Sequence, residues 1–151
     1  MAGLIVRGAG AGDYDAIVSV VNEWWGRDVA GGLPRLFLDH FYRTSLVAED
    51  DGAMAGFLVG FYSPGRPHEA YIHYVAVDPG HRGGGLARRL YEEFLGRAIQ
   101  SGCTVARAIT SPANEGSIAF HRRMGFDVAG PILGYNGPGR DMIVFTRALA
   151  G

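Results

Sequence analysis

Tyr71-Ile72-His73-Tyr74-Val75-Ala76-Val77 is an apolar run that breaks at Asp78-Pro79-Gly80 and passes through His81-Arg82-Gly83-Gly84-Gly85 into a helical pattern. The order reads strand, glycine loop, helix. Consecutive glycines leave the backbone without Cβ atoms, so its N–H groups can approach an anion closely, while the helix that follows turns its positive dipole end toward the same place. Leu86, Leu90 and Phe94 recur every fourth residue, and Ala87, Tyr91, Leu95 and Ile99 fill in beside them, the period of a helix with one buried side. The stretch is therefore expected to be a phosphate cradle on a packed helix. A glycine turn that merely starts a helix is the plain alternative.

Two familiar phosphate loops do not fit. A Walker loop carries Lys-Ser/Thr after its last glycine, and Leu86-Ala87 stands there instead. A dinucleotide fingerprint wants G-x-G-x-x-G, and no glycine follows Gly85 at the required offset.

Working outward, residues 4–6 are β-prone, and Asp13 is an N-cap candidate for a helix bearing Ile17, Val20, Val21 and Trp24 on one face. Leu33-Pro34 opens a second helical stretch in which Leu36, Phe37, Phe41 and His40 share a side. Residues 45–49 and 53–62 read as strands joined by Asp50-Asp51-Gly52, a tight hairpin turn, and the prolines at 64 and 67 keep residues 63–68 a loop before the strand at 71–77. After the cradle helix, Gly102 is a stop, residues 104–110 read as a buried strand parallel to the one before the helix, and Asn114 caps a helix over 115–124. Residues 126–128 and 142–147 form a last strand pair, with an exposed loop between them that holds Pro131, Tyr135 and Pro138.

With 151 residues, 48% hydrophobic and 19% charged, the chain is expected to be one globular domain over residues 1–151. A formal charge of −1 with no basic run argues against nucleic acid as a partner. A lone cysteine, Cys103, no signal-like N-terminus and no apolar run near the roughly 20 residues of a membrane span point to a cytoplasmic protein without a membrane partner. The histidines at 40, 68 and 81 offer no zinc-like spacing with Cys103, so no metal is expected.

Arg82-Gly83-Gly84-Gly85-Leu86-Ala87 resembles the R/Q-x-x-G-x-G/A signature of the GNAT superfamily of acyl-CoA-dependent N-acetyltransferases. About thirty residues on, and in the same order as in that family, Asn114-Glu115-Gly116-Ser117-Ile118-Ala119-Phe120-His121-Arg122-Arg123-Met124-Gly125-Phe126 resembles its N-x-x-[A/S]-x-x-x-Y-x-x-x-G-F pattern, with histidine in place of the usual tyrosine. The resemblance covers nearly the whole chain. It implies an α/β (mixed α+β) fold, with a six- or seven-stranded mixed sheet, about four helices, and a splay between the fourth and fifth strands that admits the pantetheine arm of acetyl-CoA. It also implies transfer of acetyl from acetyl-CoA directly to the primary amine of a small molecule or peptide.

Residue roles follow from the resemblance. Val75 and Val77 would offer unpaired main-chain groups to the pantetheine arm, with the Val75 amide holding the thioester oxygen. Amides of Arg82, Gly83, Gly84, Gly85, Leu86 and Ala87 would take the pyrophosphate; the Arg82 side chain either adds charge there or is simply solvated. Asn114 and Ser117 belong to the second motif beside the cofactor. His121 occupies the general-acid position, and an imidazole near pKa 6.5 can donate a proton or merely line the cleft. His73 is a candidate base or a hydrogen-bonded wall residue, with Glu69, Tyr71 and Glu49 as competitors. Trp24 fits the core stripe, which leaves Trp25, together with Tyr71 and Tyr135, for contact with the amine substrate; both indoles packing inward is the alternative.

The loops suited to an acceptor, residues 26–34, 63–70 and 130–140, carry only Asp28 and Glu69 as acids against Arg27, Arg66 and Arg140. That lining favours an amino acid or peptide terminus over a polycation. A catalytically silent acyl-CoA-binding module and a nucleotide-binding protein stand as other readings of the same loop. A homodimer is an open expectation.

Overall fold

The structure is a computed structural model that describes residues 3–149. In chain order it contains β1 (Leu4–Gly8), α1 (Tyr14–Trp25), α2 (Leu36–Phe41), β2 (Leu46–Asp50), β3 (Ala53–Tyr62), β4 (Glu69–Val77), α3 (Leu86–Gln100), β5 (Val105–Thr110), α4 (Glu115–Arg123), β6 (Asp127–Ile132) and β7 (Met142–Ala148). Hydrogen-bonded neighbours follow the order β1-β2-β3-β4-β5-β7-β6 in a seven-stranded sheet. The pairs β1/β2, β2/β3, β5/β7 and β6/β7 are antiparallel. β4 and β5 are parallel and joined by the crossover helix α3. The carbonyl of His68, just before β4, accepts from the amides of Thr104 and Val105 at 2.8 and 3.3 Å, which aligns the starts of these two strands.

The chain divides into two compact units, one made of the chain up to Phe61 with Ile72–Arg97, the other of Tyr62–Tyr71 with the chain from Ala98 onward. In the first, α1 buries Ile17, Val21 and Trp24 in a cluster with Leu33, Leu38, Val47, Phe57, Val59 and Ala76. Spacings of four and three residues put those α1 side chains on one stripe, as a 3.6-residue period requires. Phe57 is fully buried and stacks on Trp24 with ring centres 6.2 Å apart. α3 buries Leu86, Leu90, Tyr91, Phe94, Leu95 and Ala98, the side its sequence period marks. The β2–β3 hairpin turns on Asp51 and Gly52, both at positive φ (50° and 85°), between the paired Asp50 and Ala53; this is the mirror-image turn that matches strand twist. In the second unit, Ala106, Ala108, Ile143 and Phe145 of the β5/β7 ladder are buried together with Met124 and Phe126.

The structure corrects several local expectations. α2 is only six residues long and fully buries Leu38, while Leu36 stays 48% exposed and His40 lies outside. A helix of fewer than two turns cannot present an extended stripe, so the anchor falls on its middle leucine. Asp13 precedes α1 without a side-chain bond into the helix. Its carboxylate instead accepts from the Gly10 amide at 2.7 Å and pairs bidentately with Arg7, which also reaches Glu49 on β2 at 3.1 Å. β4 begins two residues earlier than its apolar run, and β6 continues to Ile132 past an irregularity after Ala129.

Truncating the shared anchor of this core should be costly: Phe57→Ala is expected to lower stability by roughly 3–5 kcal/mol, whereas Leu36→Ala should change it by no more than about 0.5 kcal/mol. Equilibrium urea denaturation of the two variants checks the difference, and equal losses would contradict the placement of the core.

Candidate functional site

The junction of β4 and α3 carries the candidate residues of the first unit. After Val77, the Asp78 side chain accepts from the Gly80 amide at 3.2 Å and closes a short 3-10 turn over Pro79–His81. Arg82 is extended, and Gly83 and Gly85 take positive φ values of 86° and 77°, a region closed to most side chains. The loop is exposed at residues 82–85, and the first intrahelical bond of α3 runs from the Arg89 amide to the Gly85 carbonyl at 3.0 Å. Helix geometry leaves the amides of the preceding turn without intrahelical acceptors, aligned with the positive end of a fifteen-residue helix. Positive-φ glycines, exposure and a helix start thus coincide where the sequence places the expected cradle. The Arg82 side chain points elsewhere: its guanidinium donates to the Trp24 carbonyl in the last turn of α1, a favourable place for a cation.

Next to the cradle is His81, to which the sequence assigns no role. Its Nε2 lies 2.9 Å from an Asp50 carboxylate oxygen and its Nδ1 lies 3.0 Å from one of Asp78. The two carboxylates, Asp50 first, hold the ring above the ordinary histidine pKa. Asp78 and His81 are three residues apart and visible as a local pair; Asp50 is thirty-one positions away and comes near only through the sheet.

Three successive β4 residues then hold the end of α1 and the segment that follows it. The His73 Nε2–H donates to the Gly32 carbonyl at 2.6 Å, the Tyr74 hydroxyl donates to the Val29 carbonyl at 2.7 Å, and the Val75 carbonyl accepts from the Trp25 indole at 3.0 Å. Their rings form a column: Trp25 stacks on Tyr74 (5.1 Å between centres), Tyr74 on His73 (4.7 Å) and His73 on Phe37 (4.1 Å), with the Arg27 guanidinium 5.6 Å from the Trp25 ring. Gly32 is required by contact, since a Cβ there would sit 2.2 Å from the Tyr74 hydroxyl. Asn22 reinforces the segment by accepting from the Val29 and Ala30 amides, both at 2.8 Å.

His73, Trp25 and Val75 are therefore brought together, but in a different arrangement from the one expected. The Val75 carbonyl, expected to be open to a pantetheine arm, is engaged by Trp25, and Trp25 is half-buried in the column. Val77 is buried at the end of β4. Burial lowers the His73 pKa, against the smaller opposing effect of the Gly32 carbonyl, so the ring is neutral at physiological pH.

In the second unit, Asn114 caps α4, accepting from the Ser117 amide at 3.2 Å while its own amide donates to Thr110 Oγ1 at 3.2 Å. Both functions of this side chain are structural. His121 donates Nδ1–H to the Ser117 carbonyl at 2.8 Å, with Ser117 Oγ 3.3 Å away. Its ring lies flat on Phe145 at 3.9 Å and meets the Phe120 and Phe126 rings edge-on. Only 5% of His121 is exposed, and burial lowers its pKa to about 4, the Ser117 carbonyl opposing. The motif places His121 correctly in α4, but the charged form that an acid needs is scarce there, on the order of one molecule in a thousand at pH 7. Tyr71 is half-buried on β4, and Tyr135, 50% exposed, stands between β6 and β7 beside Leu133, 81% exposed. Among the described residues no group of three or more His, Cys, Asp or Glu side chains could hold a metal, and no helix is long and apolar enough to cross a membrane.

The sheet with its crossover helix defines an α/β protein with an exposed glycine loop at a strand–helix junction. Residues 14–126 match the model of the Acetyltransferase (GNAT) family, and the chain belongs to that family. It is 37% identical over 85 residues to an L-2,4-diaminobutyric acid acetyltransferase of Nocardia farcinica, an alignment covering 56% of this chain and 44% of that one. The chain spans about half the length of the curated relatives it matches. Its fold is shared with Ard1 from Thermoplasma volcanium (TM-score 0.81, 20% identity, 99% of each chain). It is shared as well with a diaminobutyrate acetyltransferase of Paenibacillus lautus solved with L-2,4-diaminobutyric acid and coenzyme A (TM-score 0.74, 21% identity, 97% of this chain and 95% of that one).

The depressed histidines set a pH dependence. A ring that is neutral when folded and ordinary when unfolded favours unfolding as it charges, so the contribution of these rings should be fully present above pH 6.5 and decline as pH falls toward about 4. His121 alone should account for roughly 3 kcal/mol of that loss, with His73 acting in the same direction. Thermal unfolding across this range should show the slope in the native protein and a shallower one in His121→Phe. Equal slopes would contradict a buried neutral His121.

Proposed function

We propose that this protein is an N-acetyltransferase that moves an acetyl group from acetyl-CoA to the primary amine of a small amino acid. The observation that carries the reading is the exposed loop at residues 82–85, where left-handed Gly83 and Gly85 turn a row of amides outward at the start of α3 in a chain of the GNAT family. Amides of Gly83 through Ala87 take the pyrophosphate, with the helix dipole adding to their attraction, while the Arg82 amide donates back to the Pro79 carbonyl at 3.5 Å. The Arg82 side chain acts indirectly, holding the end of α1 to the loop.

In the reaction the amine nitrogen attacks the thioester carbonyl carbon. The C–N bond forms, the C–S bond breaks, the nitrogen gives up one proton and the departing CoA thiolate gains one. His73 is the base of this reading, because burial keeps it neutral and its bond to the Gly32 carbonyl fixes the ring's orientation on β4. His121 supplies shape and a fixed dipole to α4 as a neutral ring. Its low pKa is the reason to give it that part in place of the acid that the motif implies.

An amino-acid acceptor is supported by two lines. The relatives just described are named for L-2,4-diaminobutyric acid, and the few acids on the candidate loops are already committed. Glu69 lies 3.0 Å from Arg107 and 3.6 Å from Arg66, and Asp28 accepts from Asn22 at 3.2 Å. Arginines outnumber acids on these loops, three to two, which suits a substrate carboxylate better than a polycation. The protein acts where acetyl-CoA and free amino acids meet, for which the cytoplasm is the proposed compartment.

Gly84 provides a clean test of the cradle. Its φ lies outside the left-handed region and a Cβ would come no closer than 3.7 Å to the His81 carbonyl, so Gly84→Glu places a carboxylate at the anion site without backbone strain. Titration calorimetry should show acetyl-CoA binding to the native protein and at least about a hundredfold weaker binding to Gly84→Glu, of the order expected for an anion set against another. Thiol release should follow on adding diamino acids and be slower with polyamines or aminoglycosides. Binding without release for any amine would replace the enzyme by a binding module; no binding at millimolar acetyl-CoA would remove the reading altogether.

A further inference from the structure

His81 is placed between two carboxylates in a way that fixes its charge. Carboxylate oxygens only accept hydrogen bonds, and a neutral imidazole donates from one nitrogen only. With Asp50 2.9 Å from Nε2 and Asp78 3.0 Å from Nδ1, both contacts are hydrogen bonds only when the ring is an imidazolium. The three groups come from different parts of the chain: Asp50 ends β2 at the hairpin turn, Asp78 follows β4, and His81 closes the turn that precedes Arg82. These two carboxylates are the charged groups that face the ring. Arg82, next in sequence, is turned toward Trp24.

We propose that His81 is a positioning residue for acyl-CoA, tying the approach of the glycine loop to the β2–β3 hairpin and tuning, through its charge, how tightly the cradle holds the cofactor's pyrophosphate. The inference rests on the acetyl-CoA reading of the cradle. Two effects act in the same sense. Loss of the proton forfeits one of the two hydrogen bonds and so loosens the turn that leads into the glycine loop. It also changes the local charge from one net negative to two beside a site for a dianionic ligand, which repels it. His81 is half-buried and lies next to the loop, so salt screens this only in part. The same proton contributes to folding: the raised pKa means that its stabilisation is complete below about 6.5 and is lost as pH rises through the folded value.

Because the coupling is an equilibrium one, it must be reciprocal. Bound acetyl-CoA should raise the His81 pKa by the logarithm of the factor by which protonation strengthens binding. The experiment is calorimetric titration of acetyl-CoA from about pH 7 to about pH 9.5, above the second phosphate ionisation near 6, beside NMR titration of the His81 ring with and without ligand. Native protein should lose at least about fivefold in affinity as the ring titrates. His81→Gln, which keeps one donor, should bind more weakly at pH 7 and lack that step. Asp50→Asn should move the step to lower pH. A ring pKa unaffected by acetyl-CoA, or native affinity flat across the ring's titration, overturns the proposal even if either variant folds poorly. Absence of binding at every pH would instead remove the acetyl-CoA reading on which it stands.

Discussion

A helix must begin somewhere, and its first amides have no partner within it. In this protein that unavoidable deficit is placed at the edge of an exposed glycine loop, directly after a strand, and much of the first unit can be understood as holding the deficit in position. α3 is anchored by a continuous apolar side, so the amides at its start cannot drift. Asp78 closes the turn before the loop, His81 ties that turn to the hairpin, and Arg82 reaches back to the end of α1. The glycines themselves contribute freedom, and the neighbours remove it.

The second organising feature is the column of rings on β4. Alternation along a strand should send neighbouring side chains to opposite faces, yet His73 and Tyr74 both engage the segment between α1 and α2, and the Val75 carbonyl holds the last residue of α1 just before it. That segment is rich in glycine and short of side chains of its own, so its carbonyls are satisfied by polar tips of aromatic residues from elsewhere. The arrangement lends a loop the definition of a packed element. It also spends the indole of Trp25 on the main chain, which explains why the second of two adjacent tryptophans is half-buried although it lies off the core stripe.

What was legible in the sequence was what depends on neighbours in the chain. The Asp51-Gly52 turn, the buried side of α3, the cap at Asn114 and the strand–loop–helix order are set by local sterics and period, and they stand in the structure as read. What was not legible depends on the sheet. Nothing near His81 announces Asp50, nothing near Arg82 announces the Trp24 carbonyl, and the charge state of His121 is decided by Phe145, twenty-four positions on, lying flat against its ring. The motif located that histidine, while its pKa came from packing. Short elements misled for a related reason: α2 has too few turns for periodicity to choose between Leu36 and Leu38, and tertiary contact chose.

The approach of Gly32 to Tyr74 carries an evolutionary consequence. With a Cβ at position 32 falling 2.2 Å from the phenol oxygen, no side chain can enter there while the tyrosine stays as it is. Loss of the hydroxyl from Tyr74 would relieve the closest clash, but it would also take one of two donors from the Val29 carbonyl, which would keep the Gly32 amide at 3.0 Å. Each single step away from this pair therefore meets a different physical fault, a clash on one side and a lost hydrogen bond on the other, so the two positions are coupled. Between two adjacent glycines the segment thus has one tolerant position and one closed one: a side chain at Gly31 would meet nothing within 4 Å, while one at Gly32 would run into the phenol.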